Sequence, residues 1–194
     1  MNTEIPAETA HLASLRAELA ERAEKAELLD VAYRRVDSPV GPLLLAATAR
    51  GLVRVAFERE DFDAVVDSLA TRLGSRILSG TARLDDAARE VEEYFSGNRR
   101  HFDLELDRSL SAGFRLEVQR YLPRIDYGRT LSYAQVADSV GNPQAVRAVG
   151  SACARNPLPI VVPCHRVVRT DGSLGGYIGG LEAKKALLGL EAAA

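Results

Sequence analysis

Three short apolar segments, residues 31–36, 43–48 and 52–57, are separated only by Asp37-Ser38-Pro39-Val40-Gly41-Pro42 and by a turn at Arg50-Gly51. A parallel neighbour needs a crossover of roughly a dozen residues or more, so these segments can pair only as antiparallel strands. Residues 61–73 and 84–95 then read as helices closed by Gly74 and Gly97. Residues 98–107 read as an extended crossover. The stretch before the strands, residues 8–29, is free of Gly and Pro and carries Leu12, Leu15, Leu19, Ala23 and Ala26 at helical spacing. It predicts an amphipathic N-terminal helix. The first half holds no phosphate loop, metal cluster or nucleophile, and reads as an α+β scaffold.

Composition bounds the rest. A chain of 194 residues, 46% hydrophobic, buries a real core in one domain or two small ones. It has no run of about 18 apolar residues and no basic-plus-apolar leader, so the expectation is a soluble, cytoplasmic protein without a membrane segment. Two cysteines, Cys153 and Cys164, and three histidines are too few for a disulfide framework or a Cys-rich zinc site, and no metal is expected. Cys153 lies among small residues and reads as a packing residue. Net charge is uneven: residues 1–110 carry 15 Lys+Arg against 21 Asp+Glu, net -6, and residues 111–194 carry 10 against 6, net +4. The positive half suits a polyanion, although a solvated face gives a similar imbalance.

That half is helical. Residues 114–122 form one predicted helix, and Ser132 caps another over 133–140. Gly141-Asn142-Pro143 makes a turn in which Asn142 can cap and Pro143 can open a third helix, residues 143–154. The spacing fits a helix-turn-helix and fits an ordinary helical corner equally. The third helix is thin: around Arg147 stand Ala145, Val146, Ala148, Val149, Gly150, Ser151 and Ala152. Side chains this small let a helix approach a DNA minor groove, about 6 Å wide in B-form, or another helix inside the protein.

The chemistry concentrates further on, in Ile160-Val161-Val162-Pro163-Cys164-His165-Arg166-Val167-Val168. The thiolate is the nucleophilic form of cysteine and is scarce at neutral pH without an activating neighbour. His165 and Arg166 are the neighbours at hand.

From Tyr127 onward the chain resembles the O6-alkylguanine-DNA alkyltransferases, also called methylated-DNA:protein-cysteine methyltransferases. The resemblance rests on Tyr127-Gly128-Arg129-Thr130-Leu131-Ser132-Tyr133, Gly141-Asn142-Pro143, Arg147-Ala148-Val149-Gly150, Asn156-Pro157, Pro163-Cys164-His165-Arg166-Val167 and Gly176-Tyr177-Ile178-Gly179-Gly180. A weaker match through Tyr94-Phe95-Ser96-Gly97 reaches back to about residue 31. The resemblance implies an α+β fold: a small antiparallel, ribonuclease-H-like sheet with helices over 31–108, then a helix-turn-helix and alkyl-acceptor domain over 109–194. Residues 1–30 remain a helical extension outside it.

The resemblance also implies roles. Cys164 would accept the alkyl group of O6-alkylguanine, and of O4-alkylthymine, in one irreversible displacement. His165 would be its base through a water, and Glu191 the carboxylate that orients the histidine; without the resemblance, Glu191 reads as a solvated C-terminal residue. Tyr133 would donate to guanine N3, and with Arg147 would flip the base, the arginine filling the vacated stack. Asn156, otherwise a turn residue, would tie the helix-turn-helix to the reactive loop. Gln144, Ala145, Ala148 and Ser151 would lie on double-stranded DNA in the minor groove, and Pro159, Val167, Tyr177 and Ile178 would line the guanine pocket. The glycines at 175, 176, 179 and 180 would let that loop pass a flat base, where a plain Gly-rich stretch would be a mobile linker. No cofactor is implied, and the protein would be a monomer that can cluster on DNA.

Ser111-Ala112-Gly113-Phe114-Arg115 departs from the family's usual Gly-Thr and Phe-Gln, which bears on local packing. The first-domain zinc site of some relatives does not carry over, because no cysteine precedes residue 153. Two other activities compete: a non-catalytic lesion-binding protein of the same fold, and a cysteine hydrolase built on Cys164 and His165.

Overall fold

The computed structural model describes residues 15, 18–20, 22–80 and 82–193. Strands β1 (Val31–Val36), β2 (Leu43–Thr48) and β3 (Gly51–Phe57) pair antiparallel in sequence order, as their short connections require. A fourth strand, β4 (Ile77–Ser79), joins parallel to β1, so the sheet is mixed, with order β3-β2-β1-β4. Helix α1 (Phe62–Leu73) is the crossover that allows this parallel pairing. The antiparallel expectation therefore holds for three strands, and β4 adds a parallel neighbour that the sequence pattern does not signal.

Strand β2 is buried throughout and alternates cleanly. Leu43, Leu45 and Ala47 enter the larger core, whereas Leu44 and Ala46 enter a smaller one beneath α1 with Phe62, Val65 and Leu69. A register shift between Ala46 and Ala47 changes the phase of β3, so that Leu52, Val55 and Phe57 share one face and Val53 and Ala56 the other. The far face of the sheet is covered by α2 (Asp85–Phe95), whose Ala87, Val91 and Tyr94 join the larger core.

That core continues without interruption into the C-terminal helices. These are α3 (Gly113–Tyr121), α4 (Tyr133–Ser139), α5 (Val146–Ala154) and α6 (Leu181–Ala192). The extended crossover runs beside β3, where Leu52 N donates to Glu105 O at 2.8 Å and Asp107 N to Leu52 O at 2.9 Å. Gly51, at φ 120°, is needed there because a Cβ would meet the Glu105 carbonyl. Further along the same edge, Val55 N donates to Pro157 O at 2.8 Å, joining the sheet to the segment that carries Cys164.

Ser132 caps α4 through a reciprocal box with Gln135. The third helix starts later than expected. Residues 142–145 close a turn, Ala145 N donating to Asn142 O at 2.9 Å, so α5 begins at Val146 and neither Asn142 nor Pro143 serves as its cap or first residue. Of the expected N-terminal helix, residues 8–14, 16, 17 and 21 lie outside the described residues; residues 15, 18–20 and 22–25 are helical and a turn follows at 26–27. Arg83 pairs with Glu24 at 3.0 Å and holds that end against the segment before α2.

Candidate active site

A short parallel ribbon sets the site. Strand β5 (Leu131–Ser132) pairs with β6 (Val167–Val168), which places Tyr133, the first residue of α4, beside the segment that follows the thiol. Cys164 itself opens a single 3-10 turn, Cys164–Arg166. Two features hold that segment. Ile160, β-branched and buried, is forced to φ 73°, a conformation that persists only where surroundings over-determine it. Asn156 then fixes the approach: its Nδ2 donates to Val162 O at 2.8 Å and to Cys164 Sγ at 3.2 Å, while its Oδ1 accepts from Leu158 N at 3.1 Å. Asn156 thus joins the end of α5 to the thiol directly.

The next residue reaches a buried carboxylate. His165 Nε2 lies 2.9 Å from Glu191 Oε1, and both residues are buried. A carboxylate only accepts, so Nε2 carries the proton and the neutral ring keeps its lone pair on Nδ1. Nδ1 is buried and has no hydrogen-bond partner among the described residues. Glu191 also accepts from Tyr94 Oη at 2.8 Å, from Gly128 N at 3.1 Å, and from Arg166 Nε and Nη2, each at 2.9 Å. Burial opposes its charge, but the hydrogen bonds from His165 and Arg166 win and hold the carboxyl down to about 2. Burial lowers the His165 pKa below its ordinary 6.5, against the opposing pull of Glu191.

Arg166 does not activate the thiol, contrary to the expectation from its position. Its guanidinium turns to Glu191 and to Ile125 O, because a buried arginine needs a counter-charge and acceptors. Lys184 of α6 is fully buried, with Nζ donating to Val167 O at 2.6 Å. Burial raises the Cys164 pKa to about 11, with Asn156 and Lys184 pulling the other way.

The remaining expected residues fall into two groups. Tyr133 stands against Gly175, where a Cβ would strike its phenol, and burial raises its pKa to about 12. Tyr177 makes edge contacts with Phe57 and His165, at ring-centroid distances of 5.6 Å and 6.3 Å. Pro159 and Val167 are buried and Ile178 half-buried around this segment. On the outside, Gln144, Arg147 and Ala148 are exposed, with Ala145 and Ser151 half-exposed, while Val149, Ala152 and Cys153 form the inner face of α5. Cys153 is buried, as its small neighbours suggested.

Three participants escape the sequence reading: Tyr94 as a donor, Gly128 and Lys184. Lys184 and Glu191 are seven residues apart with Leu187 between them, so all three share one helical face. Two charges on the apolar stripe of an otherwise plain helix are the available signal. Among the described residues no cluster of three or more His, Cys, Asp or Glu side chains could hold a metal, and no helix is long and apolar enough to cross a membrane.

Two family models match. Residues 31–108 match the ribonuclease-like domain of 6-O-methylguanine DNA methyltransferase, and residues 113–193 match its DNA binding domain. The chain is 40% identical to a methylated-DNA–protein-cysteine methyltransferase of Methanosarcina barkeri, over 82% of this chain and 96% of the relative. It is 39% identical to the constitutive enzyme of that name from Bacillus subtilis, over 82% and 94%. Among solved structures, Mycobacterium tuberculosis OGT in complex with DNA aligns with a TM-score of 0.73 at 38% identity, covering 84% of this chain and 93% of that one.

Proposed function

Starting from the fact that this chain belongs to the methylated-DNA–protein-cysteine methyltransferase family, we propose that Cys164 is the alkyl acceptor of a DNA repair methyltransferase that is consumed by one reaction. The observation that carries this is the chain of contacts Asn156 Nδ2 to Cys164 Sγ at 3.2 Å and His165 Nε2 to Glu191 Oε1 at 2.9 Å.

A thiol with pKa near 11 is ionised in only about one molecule in ten thousand at pH 7. Deprotonation must therefore accompany attack. The proton leaves sulfur for the Nδ1 lone pair of His165, through a water because the two side chains share no direct hydrogen bond. Glu191 keeps the ring in the tautomer with that lone pair and stabilises the cation formed. The sulfur attacks the carbon on guanine O6, an S–C bond forms, the C–O bond breaks and its electron pair goes to the purine. A phenol held at about 12 stays protonated at neutral pH, so Tyr133 can donate a hydrogen bond to N3 of the leaving guanine. The product is a thioether, a bond that water does not cleave at neutral pH, and the same chemistry extends to O4-alkylthymine.

Cys164 is 2% exposed, so a base in duplex DNA reaches it only if flipped out of the stack. The exposed face of α5 is suited to extruding that base. Ala148 and its small neighbours allow close approach to the minor groove, and Arg147 can fill the gap, offsetting an unstacking cost of a few kcal/mol. Duplex carrying O6-methylguanine, mixed with wild type, should lose its methyl group, and Cys164→Ser should bind that duplex without removing it. Methyl removal by Cys164→Ser would refute the assignment.

A further inference from the structure

Away from the thiol, β3, α1, the start of α3 and the end of α5 enclose a cleft of about 350 Å³. Four arginines line it, Arg54, Arg72, Arg115 and Arg155, with one carboxylate, Glu60. Glu60 is engaged by Arg54. Among the described residues no carboxylate pairs with the other three. Arg72 and Arg115 both donate to the single carbonyl of Leu110, at 3.4 and 3.2 Å, and Arg115 Nε is buried without a partner. Three guanidinium groups line one cleft: Arg72 and Arg155 are exposed to solvent, and the buried Arg115 Nε is left short of an acceptor that an anion in the cleft would supply.

We propose that this cleft binds a phosphate group. Guanidinium forks arriving from three separate elements suit a tetrahedral oxyanion better than a planar carboxylate, which offers only two oxygens. The phosphate can be free or part of a DNA backbone. The second source has a structural route: Ala148, Ser151 and Arg155 follow one another at helical spacing, so Arg155 extends the outer face of α5 by about 10 Å into the cleft. Only the DNA source rests on the reading of α5 as a DNA-contacting helix.

Two measurements on the full chain decide the matter. In the first, chloride is replaced by inorganic phosphate at constant ionic strength and the melting temperature is read for wild type, Arg115→Gln and Ser68→Glu. Ser68 is exposed on α1 at the rim, so Ser68→Glu keeps the fold and supplies a carboxylate of its own. Phosphate stabilises folded proteins generally by exclusion from their surface, so wild type should gain more in melting temperature than either variant. In the second, affinity for undamaged duplex is followed against salt for wild type, Arg155→Gln and Ser68→Glu. A slope shallower by about one in the variants assigns the site to backbone phosphate, and an unchanged slope with the melting response assigns it to free phosphate. Variants that match wild type in both measurements overturn the proposal. Should the chain fail to bind duplex at all, the melting response still decides.

Discussion

Glu191 accepts from four residues in three parts of the chain, Tyr94, Gly128 and the adjacent His165 and Arg166, and its ionisation is therefore a stability term. Its carboxyl sits near 2 in the fold against an ordinary 4.5. A lowered carboxyl pKa contributes stability in full above pH 4.5 and loses it as the pH falls through 2, about 3 kcal/mol in all. Glu191→Gln should flatten that acid dependence in urea unfolding between pH 4.5 and 2. At pH 7 it should cost about 3–5 kcal/mol, because the buried Arg166 charge loses its counter-ion. An unchanged pH 7 midpoint would remove Glu191 from this role. His165 gives a kinetic counterpart. Burial holds its pKa below 6.5, and protonation removes the base, so the transfer rate should be level above pH 6.5 and fall only at lower pH. An acid limb centred above pH 6.5, measured with free O6-benzylguanine, would argue against His165 as the base.

Helix α5 divides its roles by face, with Val149, Ala152 and Cys153 inward and Arg147 and Ala148 outward. Ala148→Leu and Arg147→Ala should each slow transfer from duplex DNA at least tenfold while leaving transfer from free O6-benzylguanine nearly unchanged, since only the duplex needs groove entry and base extrusion. Equal losses on both substrates would deny α5 its role. The legibility of the elements follows from how locally each is determined. Strand β2 is readable because it is central and buried on both faces, so its sequence is a short continuous apolar run between turns. Strand β4 is not, because three residues, none of them buried, carry no period and their pairing with β1 depends on α1 crossing the sheet. The start of α5 is ambiguous in sequence because Pro143 suits a turn and a first helical position alike. Arg166 escapes for a different reason. Sequence adjacency says nothing of where a long side chain finds its acceptor, and that acceptor comes from α6.

At the scale of the whole molecule, the sheet half is more than a support. Tyr94 of α2 donates to Glu191, and Val55 of β3 donates to Pro157 beside Asn156, so the site is completed from both halves of the chain. Tyr94→Phe keeps the ring in the core and deletes one buried hydrogen bond; it should cost about 1–3 kcal/mol in unfolding and slow transfer even from the free base. A variant as fast and as stable as wild type would show the sheet half to be inert. One transfer should spend Cys164. The most direct test is to incubate the protein with a large excess of duplex containing O6-methylguanine and follow methyl release and peptide masses to completion. Release should stop at one methyl per chain, with that methyl on the peptide holding Cys164. Continued release beyond one equivalent, or a Cys164 peptide of unchanged mass, would show that Cys164 is not a single-use acceptor.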